Sequence, residues 1–79
     1  MATYTEAVEI YVPLLHEGTD VVRPTKGLPL GGTKYKVLPI PGYLPSSEEW
    51  EFPPGSIVEC RIETREGKPV LVARNRASE

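Results

Sequence analysis

The apolar residues of this chain recur with a period of two. Val8, Ile10, Val12 and Leu14 alternate with Glu9, Tyr11 and Pro13, the spacing that places successive side chains on opposite faces of a strand. A first strand is predicted there. Gly18 and Asp20 interrupt the pattern, Val21 to Thr25 resumes it, and Gly31-Gly32 stands between Leu28-Pro29-Leu30 and the run from Thr33 to Leu38. Glycine reaches positive φ without steric cost, so this reads as a hairpin joining strands two and three. The clearest alternation is Ile57 to Thr64, with Val58, Cys60 and Ile62 facing one way and Glu59, Arg61 and Glu63 the other. After it, Arg65-Glu66-Gly67-Lys68-Pro69 turns the chain into a last strand, Val70 to Arg74. With Glu66-Gly67 as a two-residue loop, Ile62 opposes Leu71, Cys60 opposes Ala73 and Glu59 meets Arg74 on the solvent side. Residues 75–79 hold no core-forming side chain and are expected to fray.

Proline and glycine set the scale of these elements. The chain has nine prolines and seven glycines, which leaves no room for a long helix. Residues 39–47 hold three of the prolines and are expected to form a long ordered loop whose Ile40, Tyr43 and Leu44 fold back on the domain. Ser47-Glu48-Glu49 suits a single helical turn, and Phe52-Pro53-Pro54-Gly55 a tight turn into the strand that follows. The expected fold is therefore all-β, five or six short strands in a small SH3-like barrel with an OB-like barrel as the alternative. All of residues 1–79 belong to one such domain, since a chain this short holds a single core.

Composition sharpens this picture mainly by exclusion. One cysteine, Cys60, and one histidine, His16, supply neither an intramolecular disulfide nor a zinc site. The core must come from packing alone. No apolar run approaches the roughly 20 residues of a membrane span, and Met1 to Glu9 carries two acids and no Lys or Arg, unlike a secretory leader. A cytoplasmic protein is expected. The formal net charge of −2 gives no electrostatic reason to expect nucleic acid or an anionic membrane as partner. Its distribution is uneven: residues 1–20 carry four acids and no bases, residues 21–47 four bases and no acids, and residues 48–60 four acids. If the first and third blocks lie beside the second in a sheet, opposite charges interleave across the strands.

Two stretches hold the candidate chemistry. From His16 to Pro24 the chain crowds a histidine, two acids, a hydroxyl and an arginine into one loop. Thr19 and Asp20 suit a tight turn. Alternatively, Asp20 or Glu17 fixes Arg23 at a groove rim, where Arg23 offers a planar fork to an anion. Nucleophilic catalysis lacks its parts, because no serine or cysteine stands beside His16 and Cys60 falls on an apolar strand face. In the second stretch, Glu48 to Gly55, Trp50 and Phe52 share one face of an extended chain. They suit the core, or else Trp50 builds an aromatic groove with Tyr43, Tyr35 or Tyr11 for an extended peptide. No dinucleotide, phosphate-loop, Cys-x-x-Cys or zinc-protease motif is present in the sequence, so no cofactor or metal is expected. Glu48-Glu49 reads as adjacent solvated acids rather than an acid/base pair.

At these same two stretches the sequence resembles a group of small uncharacterised bacterial β-rich proteins. Their pattern V-x-V-P-L-x-x-E-G-T-D-V-W-R-P matches from Val8 or Ile10 through Pro24, and W-E-F-x-P-G-x-x-V-x-C matches from Trp50 through Cys60. Val22 stands where that pattern has tryptophan, so a stacking role there does not carry over. The resemblance implies a compact β domain and brings no activity with it. Together these features lead to an expectation of a non-enzymatic interaction module. It would contact a protein segment or small anionic ligand through Arg23, Asp20, Trp50, Tyr43 and Tyr35. A stand-alone sequestering or inhibitory protein of a phage or mobile element is the alternative, and a small hydrolase the outside option.

Overall fold

The computed structural model describes residues 7–16, 21–40 and 49–77. They form β1 (Val8–Pro13), β2 (Val22–Gly31), β3 (Lys34–Leu38), β4 (Ile57–Arg65) and β5 (Lys68–Arg76). Each strand lies antiparallel beside its predecessor, and the sheet closes into a barrel where Tyr11 of β1 meets Val72 of β5. That last pairing is parallel. It has to be, because five strands that alternate in direction begin and end pointing the same way. The order is a plain meander, so the OB-like alternative, which needs a Greek-key crossover, does not apply. No helix occurs among the described residues, and hence none there that is long and apolar enough to cross a membrane.

Two expected pieces merge. Val22 to Thr25 and Leu28 to Leu30 belong to one ten-residue strand, Val22–Gly31, despite Pro24 and Pro29. The prolines sit where a ladder donor is least needed: pairing with β3 begins only at Lys26, and Pro29 adjoins the register shift between Pro29 and Gly31. Because Gly31 opposes Lys34, the two-residue loop is Gly32-Thr33, one position later than the sequence suggests. Gly31 and Gly32 take φ of 114° and 58°, so the paired glycines supply the left-handed backbone that the turn needs. At the other hairpin Glu66 and Gly67, with φ of 53° and 81°, form the expected two-residue loop, its right-handed twist matching the strands it joins. The charge blocks interleave as well, with Glu9 opposite Lys26 and Lys34 opposite Glu59.

Ile10, Val12, Val37, Val58, Cys60 and Ala73 fill the barrel with Trp50 and Phe52. Trp50 reaches this interior because residues 49–51 add a short antiparallel piece to the end of β1: Leu15 N–H donates to the Glu49 carbonyl at 2.8 Å, and Glu51 N–H donates to the Pro13 carbonyl at 2.9 Å. Each ring so buried stabilises the fold by about 1.5–3 kcal/mol. Tight closure also leaves little room: a Cβ on Gly27 would stand 2.8 Å from Ile10 Cδ1. Thr25, buried beside it, donates its hydroxyl to the Leu38 carbonyl at 2.6 Å, so the polar group is satisfied inside.

The C-terminal expectation needs correction. Asn75 and Arg76 do not fray but belong to β5, and Ala77 N–H donates to the Ile57 carbonyl at 2.8 Å. Arg76 also lies over the Phe52 ring, 5.7 Å from its centroid. Polar side chains had concealed a stretch held by its backbone and by one cation over an aromatic face. The expected helical turn at Ser47-Glu48 and most of the 39–47 loop lie outside the described residues, though Ile40 packs against the core.

Candidate functional site

The hairpin of β4 and β5 carries the most organised charge in the described chain. Cys60 opposes Ala73 as expected, but Glu59 opposes Asn75, so Arg74 is one extra residue on β5. This bulge overturns the expected Glu59–Arg74 pair, because a bulge re-aims the side chain it displaces. Arg74 turns instead to Glu63, donating from Nε to Oε2 at 2.6 Å and from Nη2 to Oε1 at 2.7 Å. Arg65 donates to the same Oε1 from Nη2 at 3.3 Å. Hydrogen bonding from Arg74, with the nearby charges of Arg74 and Arg65, holds the Glu63 carboxyl down at about 2. The fork is ionised at any physiological pH.

Beside this fork lies a cleft of about 450 Å³ lined by Tyr11, Val22, Arg65, Glu66, Lys68 and Val70. The register explains its make-up. Arg65 opposes Lys68 and Glu63 opposes Val70, so a charged edge and an apolar one share this face of the hairpin, while Tyr11 and Val22 come from the first two strands. Among the described lining residues, Arg65 and Lys68 are cations and Glu66 is an anion. A second concavity of about 330 Å³ is lined, among the described residues, by Ala7, Lys26, Leu38 and Pro39.

The residues singled out from the sequence fall elsewhere. Trp50 is 3% exposed and part of the core, so its ring is not available as contact area, and the groove built around it is corrected to core packing. Tyr35 is half-buried against the same core. Arg23 is exposed, opposite Val12 on β1, while Asp20 and Tyr43 lie outside the described residues. His16, at a φ of 64°, reaches Glu49 at 3.4 Å in a solvent-exposed contact. Burial pushes the Cys60 thiol up to about 11, so it stays protonated and a poor nucleophile. Among the described residues no three acids, histidines or cysteines gather in a way that could hold a metal.

Of the cleft residues only Tyr11 was named from the sequence, as one wall of a groove with Trp50, and the others were missed for a specific reason. Alternation marks Tyr11, Val70 and Arg65 only as outward-facing, and outward residues look alike in a sequence. One signal was present: the register expected for the last hairpin already sets Arg65 against Lys68, and like charges directly opposed are unfavourable without a purpose or a counter-charge. Fold and cleft together define a small closed β barrel with a charged, partly apolar concavity on its outer surface. The chain matches no family model, no curated protein and no solved structure.

Proposed function

We propose that the protein is a non-enzymatic binding module, and that its contact surface is the cleft between the β4–β5 hairpin and the Tyr11–Val22 region of the first two strands. The partner is a protein segment or a small anionic ligand. The observation that carries this reading is the cleft itself, which sets the apolar Val22 and Val70 beside Tyr11 and the charged Arg65, Glu66 and Lys68, the combination by which binding sites gain affinity and orientation together. Its volume of about 450 Å³ falls within the range of roughly 300–1,000 Å³ typical of such sites. Binding is favoured over catalysis because the described residues that line the cleft include no nucleophile with an adjacent base. The proposal moves the site away from Trp50, which belongs to the core, and from Arg23 and Tyr35, which do not line the cleft.

A fragment screen on the full chain tests it, with neutral and acidic aromatic compounds followed by amide NMR shifts. Shifts clustering at Tyr11, Val22, Lys68 and Val70 are expected. Shifts that cluster instead at Arg23 and Tyr35 would return the site to the first two hairpins and overturn the proposal.

A further inference from the structure

β4 outruns its neighbour on one side. Its last ladder pair with β3 is Glu59 opposite Lys34, and Cys60 N–H donates to the Thr33 carbonyl at 3.0 Å. Over residues 61–65 no described strand runs along that edge, while β5 lines the other. In a strand the N–H and C=O of every second residue point to the same edge. Ile62 and Thr64 therefore aim theirs the way Cys60 does, outward past the end of β3. Arg61, Ile62 and Thr64 are all exposed, Ile62 at 73%. An open strand edge of this kind is a template for pairing with another strand.

The charges along the edge decide what that strand can be. A second copy paired antiparallel over residues 61–65 is centred on Glu63, which sets Arg61 against Arg65 and Glu63 against Glu63. Like charges directly opposed are unfavourable. A register centred on Ile62 would set Arg61 against Glu63, but it brings the incoming Thr64 opposite Cys60, the place that Thr33 already holds. Centring on Thr64 runs past the turn and leaves Ile62 opposite Glu66. The edge is thus guarded against its own kind and open to a strand of complementary charge.

We propose that the open edge of β4 binds an extended segment of another protein by strand addition, antiparallel to β4, with an acidic residue opposite Arg61 and an apolar β-branched residue opposite Ile62. Backbone hydrogen bonds to Ile62 and Thr64 hold the segment, since each offers one donor and one acceptor. The apolar residue extends the row that Ile62 makes with Leu71, its opposite on β5, which itself packs against the core. The acid completes a cross-strand ion pair with Arg61, and a base opposite Glu63 continues the alternation. Arg61, Ile62 and Thr64 are not among the described residues that line the cleft, so this surface stands independently of it.

Amide NMR of the full chain with end-capped peptides is the test. Glu-Val-Lys-Val-Glu sets acid, base and acid opposite residues 61, 63 and 65, Lys-Val-Glu-Val-Lys reverses every charge, and a form of the first with both valines N-methylated loses the donors that face Ile62 and Thr64. The first peptide should move the amides of residues 61–64 and slow hydrogen exchange at Ile62 and Thr64. The reversed peptide should bind about tenfold more weakly, the combined effect of cross-strand pairs turned from attraction to repulsion, and the methylated one should not bind there. Arg61→Glu, at an exposed position, should narrow or invert that preference while the amide spectrum stays that of the folded protein. Equal binding of the two charge patterns, or undiminished binding of the methylated form, overturns the proposal. So does the absence of any shift at residues 61–64 with peptide in large excess, an outcome that leaves the cleft reading untouched. Shifts confined to Tyr11, Val22, Lys68 and Val70 would place the peptide in the cleft instead. Protection at Ile62 and Thr64 that grows with protein concentration alone, with a doubled mass by light scattering, would make the occupant a second copy and equally overturn it.

Discussion

The β4–β5 hairpin is two structures in one element. At its base, Val58, Cys60 and Ala73 are all but fully buried, because β3 runs beside β4 from Ile57 to Glu59 and the barrel interior lies beneath. Past Cys60, whose N–H donates to the Thr33 carbonyl at 3.0 Å, β3 has turned away. Ile62, two residues further along the same face, is 73% exposed. Side-chain chemistry and spacing are the same on both sides of that point, so burial here is decided by what runs alongside. The outer part compensates with charge: Glu63, Arg65 and Arg74 form a fork over the opposite face, where the base relies on apolar contact.

The largest contrast should appear in thiol reactivity. Cys60 labelling in the native protein should be slowed by a factor on the order of 10³ or more relative to the unfolded chain, since its thiol reacts only through opening. Cysteine introduced by Ile62→Cys in a Cys60→Ser background should label at close to the unfolded rate. Equal protection at the two positions would erase the distinction between base and tip. Next in size, Val58→Ala removes a fully buried side chain and should lower unfolding free energy by about 2–3 kcal/mol, readable from the denaturant midpoint. That is a substantial share of what a domain this small possesses.

Glu63→Gln is expected to cost about 1 kcal/mol at neutral pH, a modest figure because the fork is partly open to solvent. Its pH dependence is the sharper test. With the carboxyl lowered from an ordinary 4.5 to about 2, its contribution is complete above pH 4.5 and disappears as pH falls from there through 2. The variant should lack that loss, so the two unfolding curves converge in acid; a constant difference down to pH 2 would mean that the fork contributes by packing alone. Smallest of all, Ile62→Ala should shift stability by no more than about 0.5 kcal/mol. A loss of 2 kcal/mol by calorimetry would show that the exposed isoleucine is covered in solution.

Much of the fold was legible because alternation is a local property. The period of two in Val8–Leu14 and Ile57–Thr64, and the Glu66-Gly67 turn, follow from side-chain geometry within a few residues, and so does the Ile62–Leu71 and Cys60–Ala73 register. The bulge was not legible, since nothing in Val70 to Arg74 marks which residue the ladder will skip. Asn75 and Arg76 looked like a tail because their polar side chains hide backbone pairing. For Trp50 the core and a groove were equally consistent with its spacing from Phe52, and only the short ladder to Pro13 and Leu15 chose between them.

By itself, then, the sequence determined an all-β chain of short strands and tight glycine turns, with a single cysteine that cannot form an intramolecular disulfide. Those features depend on backbone preference and on the two-residue repeat, which act at short range. The tertiary structure alone decided where β4 leaves shelter, that Arg74 turns to Glu63 rather than Glu59, and that Tyr11 and Val22 share a cleft with a hairpin more than 40 residues away. These outcomes depend on how a meander closes on itself, a matter of the stagger accumulated over five strands rather than of the residues at any one position.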